Sequence, residues 1–169
     1  MSRVPRARKS MPIAIVGLLV LAAAGPANGR GVDKQPTLTA DLDGKPIALV
    51  EVGNWYCNDF DYPAIHCFSD PKAELQSSAA ALAAPSGTYV TVYEFTTYQG
   101  AYMHMTQDYS ILGLIGWSDR ISSFQVTNSA GGVFWTDWLY TGTRYNFCCY
   151  QNVGSLGSFN DTFSSVFHN

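Results

Sequence analysis

Two stretches of this 169-residue chain carry the same oxygen-rich pattern: an aspartate, two spacer residues and a serine pair. The first is Asp119 followed by Ser122-Ser123, and the second is Asp161 followed by Ser164-Ser165. A loop running into a strand in this order can present a carboxylate, a hydroxyl and a backbone carbonyl together. Calcium is a hard cation that takes about six to eight such oxygens at roughly 2.3–2.6 Å. The plainer reading is a pair of Asx/Ser turns that bond only backbone. A third acidic stretch, Asn58-Asp59-Phe60-Asp61, reads more simply as a solvated turn than as a calcium loop.

Other chemistries have less to stand on. Asp59 with Asp61 or Glu51 is the nearest thing to an acid/base pair, and acidic surface residues of this kind are commonplace. No Ser/His/Asp order and no phosphate loop is recognisable, so the chain reads as a non-enzyme. A Cys/His nucleophile would draw on His66, His104 or His168, but no local motif supports one. The four cysteines, Cys57, Cys67, Cys148 and Cys149, lack the paired CxxC knuckles of a zinc site.

The Asp-Ser-Ser stretches are held within an internal duplication at a constant offset of 42 residues. Tyr93 matches Trp135, Tyr98 matches Tyr140, and Gly100 matches Gly142. Further on, Leu114 matches Leu156, Trp117 matches Phe159, and Asp119 matches Asp161 without a gap. Alternating segments such as Tyr89-Val90-Thr91-Val92-Tyr93 and Ile121-Ser122-Ser123-Phe124-Gln125-Val126 read as strands. Each unit has room for four short strands, and two units must pack together to bury their apolar faces. The aromatic pair and glycine of each unit point to a folded-over hairpin, with glycine at a backbone angle that other residues resist.

Tyr93-Glu94-Phe95-Thr96-Thr97-Tyr98-Gln99-Gly100, followed by Gly116-Trp117-Ser118-Asp119-Arg120-Ile121-Ser122-Ser123, resembles a βγ-crystallin Greek key. Residues 135–142 with Asn160-Asp161-Thr162-Phe163-Ser164-Ser165 repeat it. The resemblance spans roughly residues 88–168, about half of the chain. It implies a mostly β fold in which motifs 88–126 and 131–168 pack as a βγ-crystallin-like sandwich, within a domain at 88–169. It also implies calcium, two ions in all, held by paired units that exchange ligands. The implied side-chain ligands are Asp119, Ser122, Asp161 and Ser164. The implied carbonyl ligands are Glu94 and Thr136 from the hairpins, with Arg120 and Thr162 from the clamps. Ser123 and Ser165 read as structural, bonding backbone across each motif. One departure stands out: Ser118 occupies a position where the family has Asn or Asp. The resemblance also opens an alternative, a secreted metalloproteinase inhibitor of the same fold. That role needs a rigid disulfide loop, from Cys57–Cys67 or from Cys148-Cys149.

The N-terminus reads as a secretory signal peptide at 1–29. Arg3, Arg6, Arg8 and Lys9 precede an apolar run at 12–24, and Gly25-Pro26-Ala27-Asn28-Gly29 offers a small-residue cleavage site. The run is short of the about 20 residues that a spanning helix needs. A retained anchor is the alternative. Export predicts an extracellular protein, free of the membrane, that begins between about residues 25 and 31. Cleavage would remove four of the ten Lys/Arg and none of the thirteen Asp/Glu, leaving a formal charge of about −7. Such a chain is a poor nucleic-acid binder and a better partner for cations. An extracellular protein partner is left open.

Residues 30–87 read as a lead-in with a disulfide loop and one short helix. Residues 30–46 look loose, while 47–56 and 63–68 look like strands. Asp70-Pro71 is a helix start, with Asp as N-cap and Pro in the first turn, and the helix is expected over 72–84 until Pro85-Ser86-Gly87 stops it. In a strand Cys148 and Cys149 face opposite sides, so at least one is expected to pair elsewhere. A link from the 57–67 region to that pair is preferred, with Cys57–Cys67 as the alternative.

Overall fold

The structure, a computed structural model, describes residues 37–83 and 88–169. The expected signal peptide at 1–29 lies outside the described residues, as do the start of the lead-in and the helix stop at 84–87. The described residues form one compact unit. The lead-in supplies β1 (Thr39–Leu42), β2 (Lys45–Pro46), β3 (Tyr56–Asn58), β4 (Ala64–Phe68) and helix α1 (Pro71–Leu82). The first repeat supplies β5 (Val90–Phe95), β6 (Gln99–Met105) and β7 (Ser123–Val126). The second supplies β8 (Gly131–Trp135), β9 (Arg144–Cys148), β10 (Asn152–Val153) and β11 (Ser165–His168).

The strands make two sheets, ordered β10-β7-β5-β6-β3-β4-β1-β2 and β11-β8-β9. This is the mostly β, two-Greek-key architecture read from the repeat. β10 of the second repeat pairs with β7 of the first, and Tyr109 of the first repeat bridges Val166 of the second. Each repeat thus lends a segment to the other's sheet, so neither can bury its apolar face without its partner. Along β6, Ala101, Met103 and Met105 alternate into the core, while Tyr102 and His104 take the opposite face. Between the sheets Phe134 packs against Phe147, Phe163 and Phe124 at ring distances of 4.7, 4.9 and 5.5 Å.

The lead-in departs from expectation in several places. Residues 39–46 are not loose, because β1 pairs with both β2 and β4. β3 runs parallel to β6, with Cys57 opposite Met103, and so continues the sheet past the edge of the first Greek key. An exposed edge strand presents unpaired N–H and C=O groups, and β3 satisfies those of β6. Residues 49–54 are a 3-10 turn rather than a strand, and the Glu51 carboxylate accepts the Ala48 N–H at 2.9 Å. That turn presses backbone to backbone on the Leu112–Ile115 turn: a Cβ on Gly53 would collide with the Gly116 carbonyl oxygen. Helix α1 starts as predicted, with the Asp70 carboxylate accepting the Lys72 N–H at 2.9 Å.

The cysteines correct the preferred pairing. Cys57 and Cys67 are bonded across β3 and β4, where they face each other in register. Cys148 and Cys149 are bonded to each other. The strand alternation that argued against this does not apply, because β9 ends at Cys148 and Cys149 turns away at φ 38°.

Candidate metal centre

The two hairpins that carry the site are built alike. Thr97, Tyr98 and Gly100 all take positive φ, and so do Leu139, Tyr140 and Gly142 exactly one repeat later. Ser123 Oγ donates to the Phe95 carbonyl at 2.6 Å and accepts the Tyr98 N–H at 3.1 Å. Ser165 Oγ does the same for the Asp137 carbonyl at 2.7 Å and the Tyr140 N–H at 3.1 Å. Both serines are fully buried, so these are the structural ties read from the sequence. They hold each folded hairpin over the loop of its own repeat. The aromatic cover differs between repeats: Tyr98 meets Tyr93 edge-on at 5.5 Å, whereas Tyr140 meets Phe167 at 5.9 Å.

The preceding serines and the aspartates cross between repeats. Ser122 Oγ donates to Asp161 Oδ1 at 2.8 Å, and Ser164 Oγ donates to Asp119 Oδ1 at 3.3 Å. Asp119 and Asp161 sit at φ 55° and 54°, a left-handed conformation that Asp tolerates better than most residues. Their N–H groups bond the Phe163 and Ile121 carbonyls, at 2.9 and 3.1 Å, which anchors each loop to the opposite repeat. The left-handed turn is repeated where the carboxylate crosses over.

The β5–β6 register slips between Tyr93 and Phe95, so Glu94 stands opposite two residues of β6, Gly100 and Ala101, in a bulge of that strand. Thr136 follows the last residue of β8. Glu94, Phe95, Asp119, Arg120 and Asp161 line one hollow of about 160 Å3. Asp137, Trp138, Thr141 and Ser164 line another of about 350 Å3. Arg120 and Thr162 each directly follow one of the two aspartates. The Thr162 hydroxyl donates to the Phe159 carbonyl at 2.8 Å, and the Thr136 hydroxyl accepts the Thr143 N–H at 2.9 Å.

Two features escaped the sequence reading. The Arg120 guanidinium bonds Glu94 Oε1 at 2.6 Å and Asn54 at 3.2 Å, so the rim of the site is tied to the lead-in. Ser118 also has a role of its own. Asn160, its counterpart, accepts the Leu156 N–H at 2.9 Å, whereas Ser118 bonds Ser164 Oγ at 2.8 Å. The Asn58–Asp61 stretch takes no part in the site. Asp59 is fully buried and accepts the Thr106 N–H, the Thr106 hydroxyl and the Tyr109 hydroxyl, each at 2.8 Å.

The donor set suits a hard cation. Among the described residues no group of three or more His, Cys, Asp or Glu side chains gathers as a metal cluster. A cation here would rest on one aspartate, a serine hydroxyl and backbone carbonyls, which is calcium chemistry rather than zinc chemistry.

The fold and site define a mostly β, two-Greek-key protein with paired Asp/Ser loops. No family model and no curated protein matches the chain. Similar solved structures include βγ-crystallin domains. One from Ciona intestinalis is 24% identical, covers 48% of this chain and 99% of its own, and has a TM-score of 0.44. An archaeal βγ-crystallin is also 24% identical, covers 48% of this chain and 98% of its own, with a TM-score of 0.43. A domain from Flavobacterium johnsoniae is 25% identical, covers 47% of this chain and 92% of its own, with a TM-score of 0.42.

Proposed function

We propose that this chain is an exported calcium-binding module in which two ions stabilise the fold. The observation that carries the reading is the reciprocal crossing of Ser122 to Asp161 and Ser164 to Asp119. One ion would take Ser122 and Asp161 with the Glu94 and Thr162 carbonyls. The other would take Ser164 and Asp119 with the Thr136 and Arg120 carbonyls. Each ion would then join both repeats, so calcium binds only the assembled sandwich and stabilises it by mass action. No catalytic group is required in this reading.

The test is a calcium titration by calorimetry beside melting curves in calcium and in chelator. Extracellular calcium modules bind at roughly 0.1–1 mM. At about 2 mM calcium, a site with a Kd near 0.2 mM adds about 1.4 kcal/mol, and two sites add about twice that. Magnesium does much less, because it demands tighter geometry and sheds water reluctantly. Ser164→Arg places a cation where the ion would sit and removes one site. Identical melting in calcium and in chelator means that both loops are structural turns only.

A further inference from the structure

A cleft of about 430 Å3 opens between the lead-in and the repeats. Leu38 and Tyr62 of the lead-in form part of its wall, and residues of the repeats form the rest, among them Asp108, Ile111, Leu114 and Tyr140. Its size falls within the about 300–1,000 Å3 of small-molecule sites, which pair apolar walls with a few placed polar groups. Asp108 supplies the only carboxylate among the lining residues. We propose that this cleft binds a small organic cation, a protonated amine carried on an aromatic or branched apolar body.

The charge argument comes first. Asp108 Oδ1 accepts the His168 backbone N–H at 2.7 Å, which fixes the carboxylate in place. Oδ2 has no hydrogen-bond partner among the described residues. Among the described residues the one ion-pair partner of Asp108 is the His168 imidazole, 3.6 Å from Oδ1. Burial lowers that imidazole below its ordinary 6.5, against the pull of Asp108, so it is neutral at pH 7 and leaves the carboxylate uncompensated. A cation entering the cleft would meet this charge beside aromatic rings, which also attract cations.

The walls point the same way. Leu114 is 61% exposed, whereas Leu156, its counterpart in the second repeat, is 6% exposed. The same fold position therefore accepts a buried leucine in one repeat and leaves it on the cleft rim in the other. Tyr62 is 43% exposed on the facing wall. Neither exposure is required by the core, and each offers apolar surface to a ligand body. Asp108 is not dictated by the repeat either, because its counterpart is Tyr150. The wall containing Leu38 and Tyr62 comes from the lead-in, so the two repeats alone would not enclose the cleft.

The experiment is a calorimetric titration of the full chain with phenethylamine, with chelator present so that the calcium reading plays no part. Two matched probes, 2-phenylethanol and phenylacetate, keep the ring and change only the charge. The amine is expected to bind at least about tenfold more tightly than the alcohol, and phenylacetate more weakly than either. Asp108→Asn keeps an acceptor for the His168 N–H and is expected to erase the preference for the amine. Tyr62→Ala is expected to weaken amine and alcohol alike. Should Asp108→Asn fail to fold, the comparison of amine with alcohol on the unaltered chain still decides. The proposal is overturned if no probe binds up to about 10 mM, or if amine and alcohol bind equally. A folded Asp108→Asn variant that keeps the amine preference overturns it as well.

Discussion

Helix α1 is held on the sheet chiefly through one buried carboxylate, and removing that carboxylate should loosen it. Among the helix residues only Glu74 and Ser78 are buried, and Leu75 is exposed, so there is no apolar seam to hold the helix down. Ser78 Oγ donates within the helix, to the Glu74 carbonyl. Glu74 is fully buried; its Oε1 accepts Asn58 Nδ2 at 3.0 Å and its Oε2 accepts the Tyr102 hydroxyl at 2.8 Å. His104 Nε2 lies 3.5 Å from Oε2, and His104 Nδ1 meets Thr91 Oγ1 at 2.7 Å. Glu74→Ala strands the buried Asn58 amide and removes the nearer acceptor of the part-buried Tyr102 hydroxyl, at about 1–3 kcal/mol each and about 2–5 kcal/mol in all. For a domain of this size that lowers Tm by roughly 10–20 °C. Urea unfolding followed by circular dichroism measures the loss, and amide exchange along α1 shows whether the helix opens first. Leu75→Ala on the same helix should stay within about 0.5 kcal/mol. If Glu74→Ala costs no more than Leu75→Ala, the latch does not exist. The pH dependence has a definite sign. Burial would raise the Glu74 carboxyl, but His104, Tyr102 and Asn58 outweigh it and hold it below its ordinary 4.5. Its stabilisation is therefore complete above pH 4.5 and is lost as pH falls through the lowered folded value.

The hairpin serines should behave as a matched pair: Ser123→Ala and Ser165→Ala each leave a part-buried N–H without its acceptor and cost about 1–2 kcal/mol in denaturant unfolding. Asp59 should respond to pH in the opposite sense to Glu74. Burial raises its carboxyl above 3.8 despite the bonds from Thr106 and Tyr109, so its contribution is complete below pH 3.8 and is lost as pH rises through the folded value. Unfolding of Asp59→Asn across that range should lack this slope. Peptide mapping without reduction should recover Cys57 linked to Cys67. Replacing both by Ala should cost about 2–3 kcal/mol, from the entropy of the ten-residue separation that the bond closes.

Local features of the chain were legible because each depends on residues a few positions apart. The Asp70 cap needs only Pro71 and Lys72 beside it. The folded hairpins need positive φ at fixed steps, and the spacing of Tyr98 with Gly100 and of Tyr140 with Gly142 marks where they fall. The serine pairs could be divided into a structural member and a candidate-ligand member because the same order occurs twice. The lead-in was harder to read. Its strands are short, and what makes β3 a strand is the open edge of β6, which lies far along the chain. Glu74 and Asp59 look like ordinary surface acids in sequence, and only the sheet and the loops packed over them make them interior groups.

The 42-residue repeat by itself determined that there are two Greek keys and which residues shape their turns, because turn chemistry is written in side-chain type and spacing. Which aspartate meets which serine was decided by tertiary structure. Ser122 and Asp161 are 39 residues apart and Asp119 and Ser164 are 45 apart, and they meet because each repeat completes the other's sheet. The cysteine pairing was decided there too. Cys57 and Cys67 are joined by strand register, and Cys148 reaches Cys149 because the chain leaves β9 between them at a positive φ. Contacts of this kind depend on where a sheet edge lies and where a strand ends, and neither is encoded within a few residues of the side chains concerned.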